Sequence, residues 1–423
     1  MIKKLKPKSE FSRNVLTLMT GTTIAQAIPI AISPILTRIY TPEDFGLFAL
    51  YMSIVSIISV IATGRYELAI MLPRKNDDAK HLVILSLILS LFTSLIVFLI
   101  ILVFNTEITQ LIGPESISGW LYLIPISIAF TGIYQSLNYW LNRQKAYKTL
   151  AKSRVVQNTT MGIGNILIGL LSKGISGLII GAVLGQLSSI YLLGRKIIKL
   201  DKTFFHHISK FKLIALAKKY IKFPKYDIFA SFSNIAAQQL PHILFNILFS
   251  PSIAGFFYLT QRMMSMPINL ISGAVLDVFK EQASKDYKEN GHAREIYKST
   301  FKKLLFLSII PSVIIYIYSV DIFVIVFGEQ WKIAGEYAQV LVPMLFLRFI
   351  SNPLSFMFYI GEKQPLNLLL QFTTLIAVSI IFYISDSPND IVFYLSMVFS
   401  CFYMCQLFIS AYIAKIFTKV TYL

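Results

Sequence analysis

The chain has 423 residues, of which 55% are hydrophobic and 14% are charged, and its formal net charge is +18. A soluble domain of this size needs more polar surface, so the composition excludes an ordinary soluble protein. Membrane topology and contact with anionic lipids account for the positive charge, which is therefore not taken as a sign of nucleic-acid binding.

Apolar stretches of about 20 residues recur along the whole chain, and a helix of that length crosses about 30 Å of hydrocarbon. We therefore predict an all-α polytopic membrane protein with twelve transmembrane helices. The predicted spans are 14–39, 45–72, 80–104, 117–141, 149–171, 175–198, 224–249, 254–279, 301–327, 337–360, 365–385 and 390–417.

The basic residues predict the orientation of these spans. With the N-terminus inside, 33 of the 39 lysines and arginines face the cytosol, and the opposite face holds only Lys173 and Lys332. Because basic loops stay inside, both termini are predicted to be cytosolic. The basic segment 1–13 is interpreted as a cytosolic segment that leads into the first span rather than as a signal peptide, since the apolar run after it is too long.

Two parts of the chain repeat each other. The stretch "TPEDFGLF" (41–48) returns as "SPSIAGFF" (250–257), and "LIGPESISGWLYLIP" (111–125) parallels "VFGEQWKIAGEYAQVLVP" (326–343). Two six-helix halves of equal orientation imply two lobes around an axis along the membrane normal, which is a transporter plan with its site near the midplane. The predicted parts are an N-lobe (1–198), a basic cytosolic linker (199–223) and a C-lobe (224–423).

The stretches "FSRNVLTLMTGTTIAQAIPIAISPILTRIYTPEDFGLFALY" (11–51) and "GRYELAIMLP" (64–73) resemble the O-antigen flippases of bacteria. These form part of the polysaccharide-transporter branch of the multidrug/oligosaccharidyl-lipid/polysaccharide exporter superfamily. The resemblance extends over the whole chain in length, number of spans and repeat. It implies a V-shaped inner-membrane protein that moves an undecaprenyl-pyrophosphate-linked oligosaccharide from the cytosolic to the outer leaflet.

Four arginines lie within the predicted spans. A charge at the bilayer centre costs about 2.5–3.5 kcal/mol on insertion scales, so it usually faces a cavity or a partner. The guanidinium group binds pyrophosphate with two parallel hydrogen bonds, which predicts a cationic substrate-binding cleft. Snorkelling, a carboxylate partner or an interfacial anchor are the alternatives. The chain resembles the lipid II flippases more distantly. Arg65 and Arg262 lie in helices at which those flippases also carry arginines. The candidates are Arg65, Arg262, Arg348 and Arg38.

The acidic candidates would serve coupling or gating. Arg65 and Glu67 are about 200° apart on a helix, so we expect them not to pair unless Gly64 loosens the helix. The spacing of Asp277 and Lys280 allows a salt bridge on one surface. The coupling and gating candidates are Glu67, Asp277, Lys280 and Asp227.

The sequence predicts no resident cofactor. It predicts no metal site either, because no further histidine or cysteine near Cys401 and Cys405 completes a set of metal ligands. The expected partners are the lipid-linked oligosaccharide, membrane lipids and other polysaccharide-assembly proteins. The coupling ion, H⁺ or Na⁺, stays open, as do the sugar and the choice between O-antigen, capsule and teichuronic-type units.

Two other functions are weighed against the flippase. A membrane enzyme of polysaccharide assembly would need a sizeable external loop, whereas the predicted external loops are short and carry no DxD pair or GxSxG motif. A drug or cation antiporter of the same fold would favour buried acids, whereas arginine dominates the deep positions here. We therefore expect a transporter that works by alternating access and is not an enzyme.

Overall fold

The computed structural model describes residues 10–172, 174–206 and 208–416, and within them the side chains of all residues except 10–19 and 230. This part of the chain is helical and contains no β-strand. The basic residues before position 10, Lys173 and Lys419 lie outside the described residues, so their predicted locations stay predictions.

The chain forms two compact units, residues 1–255 and 256–423. A π-helical turn, Phe223–Asp227, precedes the tenth helix of the first unit. The helices that begin in the first unit are α1 (Glu10–Ile39), α2 (Pro42–Ala62), α3 (Tyr66–Ala69), α4 (Asn76–Ile112), α5 (Ser118–Leu121), α6 (Ile124–Arg143), α7 (Tyr147–Leu171), α8 (Ser176–Leu200), α9 (Lys210–Lys219), α10 (Ile228–Leu248) and α11 (Pro251–Asn290).

The second unit contains most of α11 and the remaining helices. Within this unit α13 packs against α12 and α16, and α15 packs against α16. Its further helices are α12 (Arg294–Phe327), α13 (Lys332–Leu354), α14 (Met357–Ile360), α15 (Gln364–Ile384) and α16 (Pro388–Ile413).

Among the described residues, eight helices are long and apolar enough to cross a membrane, and the α5–α6 pair, bent by 47°, makes a ninth. This confirms an all-helical, multi-pass protein. Each of the twelve predicted spans overlaps a long helix, but α7, α10 and α11 are not among the nine. The count of twelve, the two lobes of six and the V-shaped cavity therefore stay predictions.

The predicted second span, 45–72, is not one helix. A capping box between Thr41 and Asp44 starts α2, and the helix ends at Ala62. Gly64 and Arg65 then adopt positive φ angles of 59° and 61°, before α3 begins at Tyr66. Glycine takes this left-handed conformation without steric cost, whereas a side chain there is strained. The break therefore turns the chain at the position of the buried charges.

Helix α10 packs antiparallel to α2, and side-chain hydrogen bonds show the register. Ser53 Oγ of α2 donates to Gln239 Oε1 of α10 at 3.0 Å. Seven residues away on each helix, Asn246 Nδ2 donates to the carbonyl oxygen of Gly46 at 3.1 Å. Because both helices advance by the same number of residues between the contacts, they remain in register along their length.

Gly46 and Gly255 are equivalent positions of the repeat, and each lies against the other copy of it. A methyl group on Gly46 would lie 1.7 Å from the carbonyl oxygen of Pro251, and one on Gly255 would lie 1.8 Å from that of Pro42. The two copies of the sequence motif thus cross reciprocally at the starts of α2 and α11. Only a residue without a side chain allows backbones to approach this closely.

The predicted linker is partly helical and packs on the first unit. Lys212 of α9 contacts Asp77 and, at 2.8 Å, Asp78 at the start of α4. Phe204 is buried, with its ring 5.0 Å from that of Trp140. The compact first unit includes α10, which the sequence assigns to the C-lobe; the predicted lobe boundaries stay predictions.

Candidate functional site

Arg65 is the centre of an ion-pair cluster in the first unit. Its Nε donates to Asp227 Oδ2 at 2.6 Å, and one terminal nitrogen donates to Glu67 Oε1 at 3.2 Å. The side chain of Arg65 is 21% exposed and that of Glu67 is 1% exposed. A carboxylate buried this deeply needs a partner, because an uncompensated charge in the interior is costly.

The expectation that Arg65 and Glu67 do not pair is wrong. It assumed a straight helix, in which residues two apart point in different directions. The left-handed conformations of Gly64 and Arg65 break the helix and bring the guanidinium group back towards Glu67. The alternative of a carboxylate from elsewhere in the chain is confirmed as well, since Asp227 is the second partner.

Two hydroxyl groups complete this cluster. Thr63 donates a short hydrogen bond to the second carboxylate oxygen of Glu67, and Ser231 donates to Asp227 at 3.3 Å. The cluster therefore holds one cation and two carboxylates. At this point acids outnumber arginine, whereas the sequence predicts a positive surplus over all the deep positions together.

Arg143, at the end of α6, fixes the chain that follows the break. Its guanidinium group donates to the carbonyl oxygens of Ile70, Met71 and Pro73 at 3.2, 3.3 and 2.7 Å. It also donates to Asn76 Oδ1 at 3.1 Å. From the sequence, Arg143 is only one of the basic residues expected on the cytosolic side. Nothing in the sequence around it indicates a contact with residues 70–76.

Arg262 and Arg348 belong to the second unit. Arg262 lies over the ring of Tyr258, 5.9 Å from its centroid. Arg348 of α13 donates to Ser265 of α11 at 3.2 Å, one turn beyond Arg262. Both side chains are half-buried, and neither forms an ion pair with a carboxylate in the part of the chain that the structure describes.

The other candidates have local partners. Arg38 is exposed and donates to the carbonyl oxygen of Pro34 in its own helix at 2.7 Å. Asp277 and Lys280 form the predicted salt bridge at 2.5 Å, with side chains 41% and 43% exposed. Such an exposed pair is worth at most about 1 kcal/mol.

Of the predicted site residues, the structure brings Arg65, Glu67 and Asp227 together in the first unit. Arg262 and Arg348 approach the same part of α11 in the second unit. Among the described residues, no group of three or more histidine, cysteine, aspartate or glutamate side chains could hold a metal ion.

Residues 35–335 match the family described as "Polysaccharide biosynthesis protein". The chain belongs to this family. It is 24% identical over 282 residues to the teichuronic acid biosynthesis protein TuaB of Bacillus subtilis (strain 168), which covers 66% of this chain and 57% of that protein.

The fold is similar to those of solved transporters. The lipid II flippase MurJ in an inward closed conformation gives a TM-score of 0.71 at 14% identity, covering 94% of this chain and 87% of that chain. An inward-facing multidrug resistance MATE family transporter of the MOP superfamily gives 0.64 at 13% identity, covering 94% and 93%. The family match confirms the resemblance to polysaccharide-assembly proteins found in the sequence, and the fold is similar to that of solved membrane transporters.

Proposed function

We propose that this protein is a flippase for a lipid-linked oligosaccharide, with undecaprenyl pyrophosphate as the lipid carrier. It would move the repeat unit of a surface polysaccharide, such as O-antigen, from the cytosolic to the outer leaflet of the bacterial cytoplasmic membrane. Both termini would face the cytosol. The observation that carries this proposal is the match of residues 35–335 to a polysaccharide biosynthesis family on a transporter fold.

The arginines supply the chemistry that such a cargo needs. A pyrophosphate is a polyanion, and a guanidinium group can bind it with two parallel hydrogen bonds. We assign the pyrophosphate contacts to Arg65, Arg262 and Arg348. Arg38 suits an interfacial anchor better, because it is exposed and bonded to its own helix.

Arg65 also suggests how transport is coupled to an ion gradient. To bind the cargo it would exchange its carboxylate partners for phosphate oxygens, which leaves Glu67 and Asp227 without their cation. The released carboxylates would then take up H⁺ or Na⁺, because an unpaired buried charge is costly. Departure of the cargo would restore the ion pairs. The exposed pair of Asp277 and Lys280 would act as a gate under this alternating-access scheme.

A drug or cation antiporter is the second candidate, and one observation favours it. Around Arg65 there are two carboxylates for one guanidinium group, so the local charge is negative. Such a cluster would attract a cationic cargo if Arg65 turned away. The likeness to a multidrug transporter concerns the fold, which both functions share.

Purified protein in vesicles can distinguish the two functions. We expect a fluorescent polyprenyl-diphosphate oligosaccharide, placed in one leaflet, to become accessible to a membrane-impermeant quencher on the other side. Vesicles with the Arg65→Ala variant should remain at the rate of protein-free vesicles. Ion-driven movement of an organic cation such as rhodamine 6G, without movement of the glycolipid, would overturn the flippase proposal in favour of the antiporter.

A further inference from the structure

An apolar groove lies on the second unit, separate from the arginines described above. It has a volume of about 710 Å³ and is bounded by α12, α13 and α16. Phe306 and Phe408 form walls that are 72% and 66% exposed, and Met404 is 43% exposed. Lys298, Phe301 and Lys302 of α12 also line the groove.

Hydrogen bonds between α12 and α16 hold one end of the groove in shape. The hydroxyl group of Tyr297 donates to the carbonyl oxygen of Leu407 at 3.0 Å and lies 2.7 Å from Ser410 Oγ. One turn earlier, Arg294 donates twice, at 3.0 and 2.8 Å, to the carbonyl oxygen of Lys415. This end of the groove is therefore held by contacts within the unit.

The same end carries a positive charge. Lys298 and Lys302 are four residues apart, so they lie on one face of α12. Neither forms an ion pair among the described residues, and Glu295, one turn before Lys298, is not paired with it. The predicted topology places this end of α12 at the cytosolic surface. Two free ammonium groups beside an apolar groove fit an amphiphile with an anionic head and a hydrocarbon tail.

The length of the groove selects the occupant. From Lys298 to Phe306 the helix advances eight residues, or about 12 Å. Half of a hydrocarbon core of about 30 Å is about 15 Å, so the groove stays within one leaflet. An acyl chain of an ordinary lipid matches this depth, whereas the longer polyprenyl chain of the proposed cargo would exceed it. We propose that this groove binds one acidic phospholipid of the cytosolic leaflet, its phosphate on Lys298 and Lys302.

Native mass spectrometry of the purified full chain tests this with phosphatidylglycerol and phosphatidylcholine as probes. We expect phosphatidylglycerol to be retained in a one-to-one complex. Each lysine near an anionic headgroup is worth about a fivefold change in affinity. The Lys298→Gln/Lys302→Gln variant should therefore bind phosphatidylglycerol about 25-fold more weakly and phosphatidylcholine unchanged.

Lys303→Gln is the matched control, because Lys303 is exposed on the same helix and does not line the groove. It should retain phosphatidylglycerol like the unaltered chain. A weakening of about fivefold by Lys303→Gln, the effect expected of one groove lysine, would show a diffuse charge effect and overturn the proposal. Preferential retention of undecaprenyl phosphate over phosphatidylglycerol would overturn the choice of occupant.

A measurement on the unaltered chain covers the case in which the lysine variants fail to fold. Phosphatidylglycerol with a photoreactive group in its acyl chain should label peptides that contain residues 301–306 and 404–408. Labelling spread evenly over the apolar surfaces of α4 and α15 would contradict a defined site. Because the flippase assay requires only the cargo, failure of this proposal leaves that function standing.

Discussion

Arg65 and Asp227 are 162 residues apart in the chain and form an ion pair with a distance of 2.6 Å. This pair continues the register of α2 and α10, since twelve residues separate Arg65 from Ser53 on one side and Asp227 from Gln239 on the other. The antiparallel contact between α2 and α10 thus ends next to the helix break. The charge cluster of Arg65, Asp227 and Glu67 lies at that end.

Removal of the guanidinium group of Arg65 should destabilise the protein, because the buried carboxylate of Glu67 then has no cationic partner. We expect Arg65→Ala to cost about 3 kcal/mol, the lower part of the range for breaking a buried pair, because Arg65 is partly exposed. Adding Glu67→Gln should restore a large part of this loss, whereas adding Asp227→Asn should restore little, since Asp227 is 37% exposed. Thermal unfolding in detergent measures the effect. Equal recovery of stability by Glu67→Gln and by Asp227→Asn would contradict the explanation that the loss comes from the buried, unpaired Glu67.

Transport should require the guanidinium groups of Arg65 and Arg262, with their two parallel hydrogen bonds, and not a positive charge alone. Arg65→Ala and Arg262→Ala should abolish surface polysaccharide in a complementation assay while the protein remains in the membrane. The Arg→Lys variants should recover part of it, because an ammonium group replaces a bidentate contact by a point charge. Arg38→Ala is the control and should remain active. Full surface polymer in both alanine variants would refute the pyrophosphate contact.

The clamp formed by Arg143 should hold the segment after the break. Arg143→Ala removes donors for three carbonyl oxygens, and we expect faster hydrogen exchange over residues 70–76 together with weaker transport. Arg143→Lys should rescue only part, because an ammonium group cannot reproduce the planar fork. Exchange unchanged in the alanine variant would show that the segment is held by other contacts.

The close glycine crossing should not tolerate a methyl group. Gly46→Ala and Gly255→Ala each place a carbon atom against a backbone carbonyl oxygen of the other helix, so we expect a loss of about 1–3 kcal/mol from overpacking. Gly194→Ala is the matched control, because a methyl group there has no neighbour within 4 Å. It should be neutral or stabilising by up to about 1 kcal/mol through helix propensity. If Gly46→Ala and Gly255→Ala unfold at the same temperature as Gly194→Ala, α2 and α11 can move apart without a loss of stability.

The docking of α9 on α4 should depend on Lys212. Hydrogen bonds to Asp77 and Asp78 raise the pKa of Lys212, and Lys212 in turn lowers the pKa of Asp77. The contact is therefore fully present between the ordinary carboxyl and lysine pKa values, and it weakens as the pH falls through the pKa of Asp77 or rises through that of Lys212. Lys212→Met should speed hydrogen exchange in α9, with less than about 1 kcal/mol lost in global stability, because the pair is exposed. Lys218→Met, on the same helix without an ion pair among the described residues, should leave the exchange unchanged.

The sequence by itself determined the class of this protein. Apolar runs and the asymmetry of basic residues indicate helices in a membrane, because hydrocarbon admits only backbones that satisfy their own hydrogen bonds. The repeat at 41–48 and 250–257 and the resemblance around residues 11–73 indicated the family. The charged positions were also visible, since lysines and arginines in apolar runs are costly and therefore stand out.

Only the tertiary structure decided which charges meet. The pairing of Arg65 with Glu67 depends on two left-handed residues, and its pairing with Asp227 depends on the register of helices that are distant in sequence. A helical period predicts neighbours within one straight helix, but it contains no information on a break or on a contact between helices. Likewise, the sequence shows Gly46 and Gly255 only as equivalent positions of a repeat. The fold shows that each lies against the helix of the other copy.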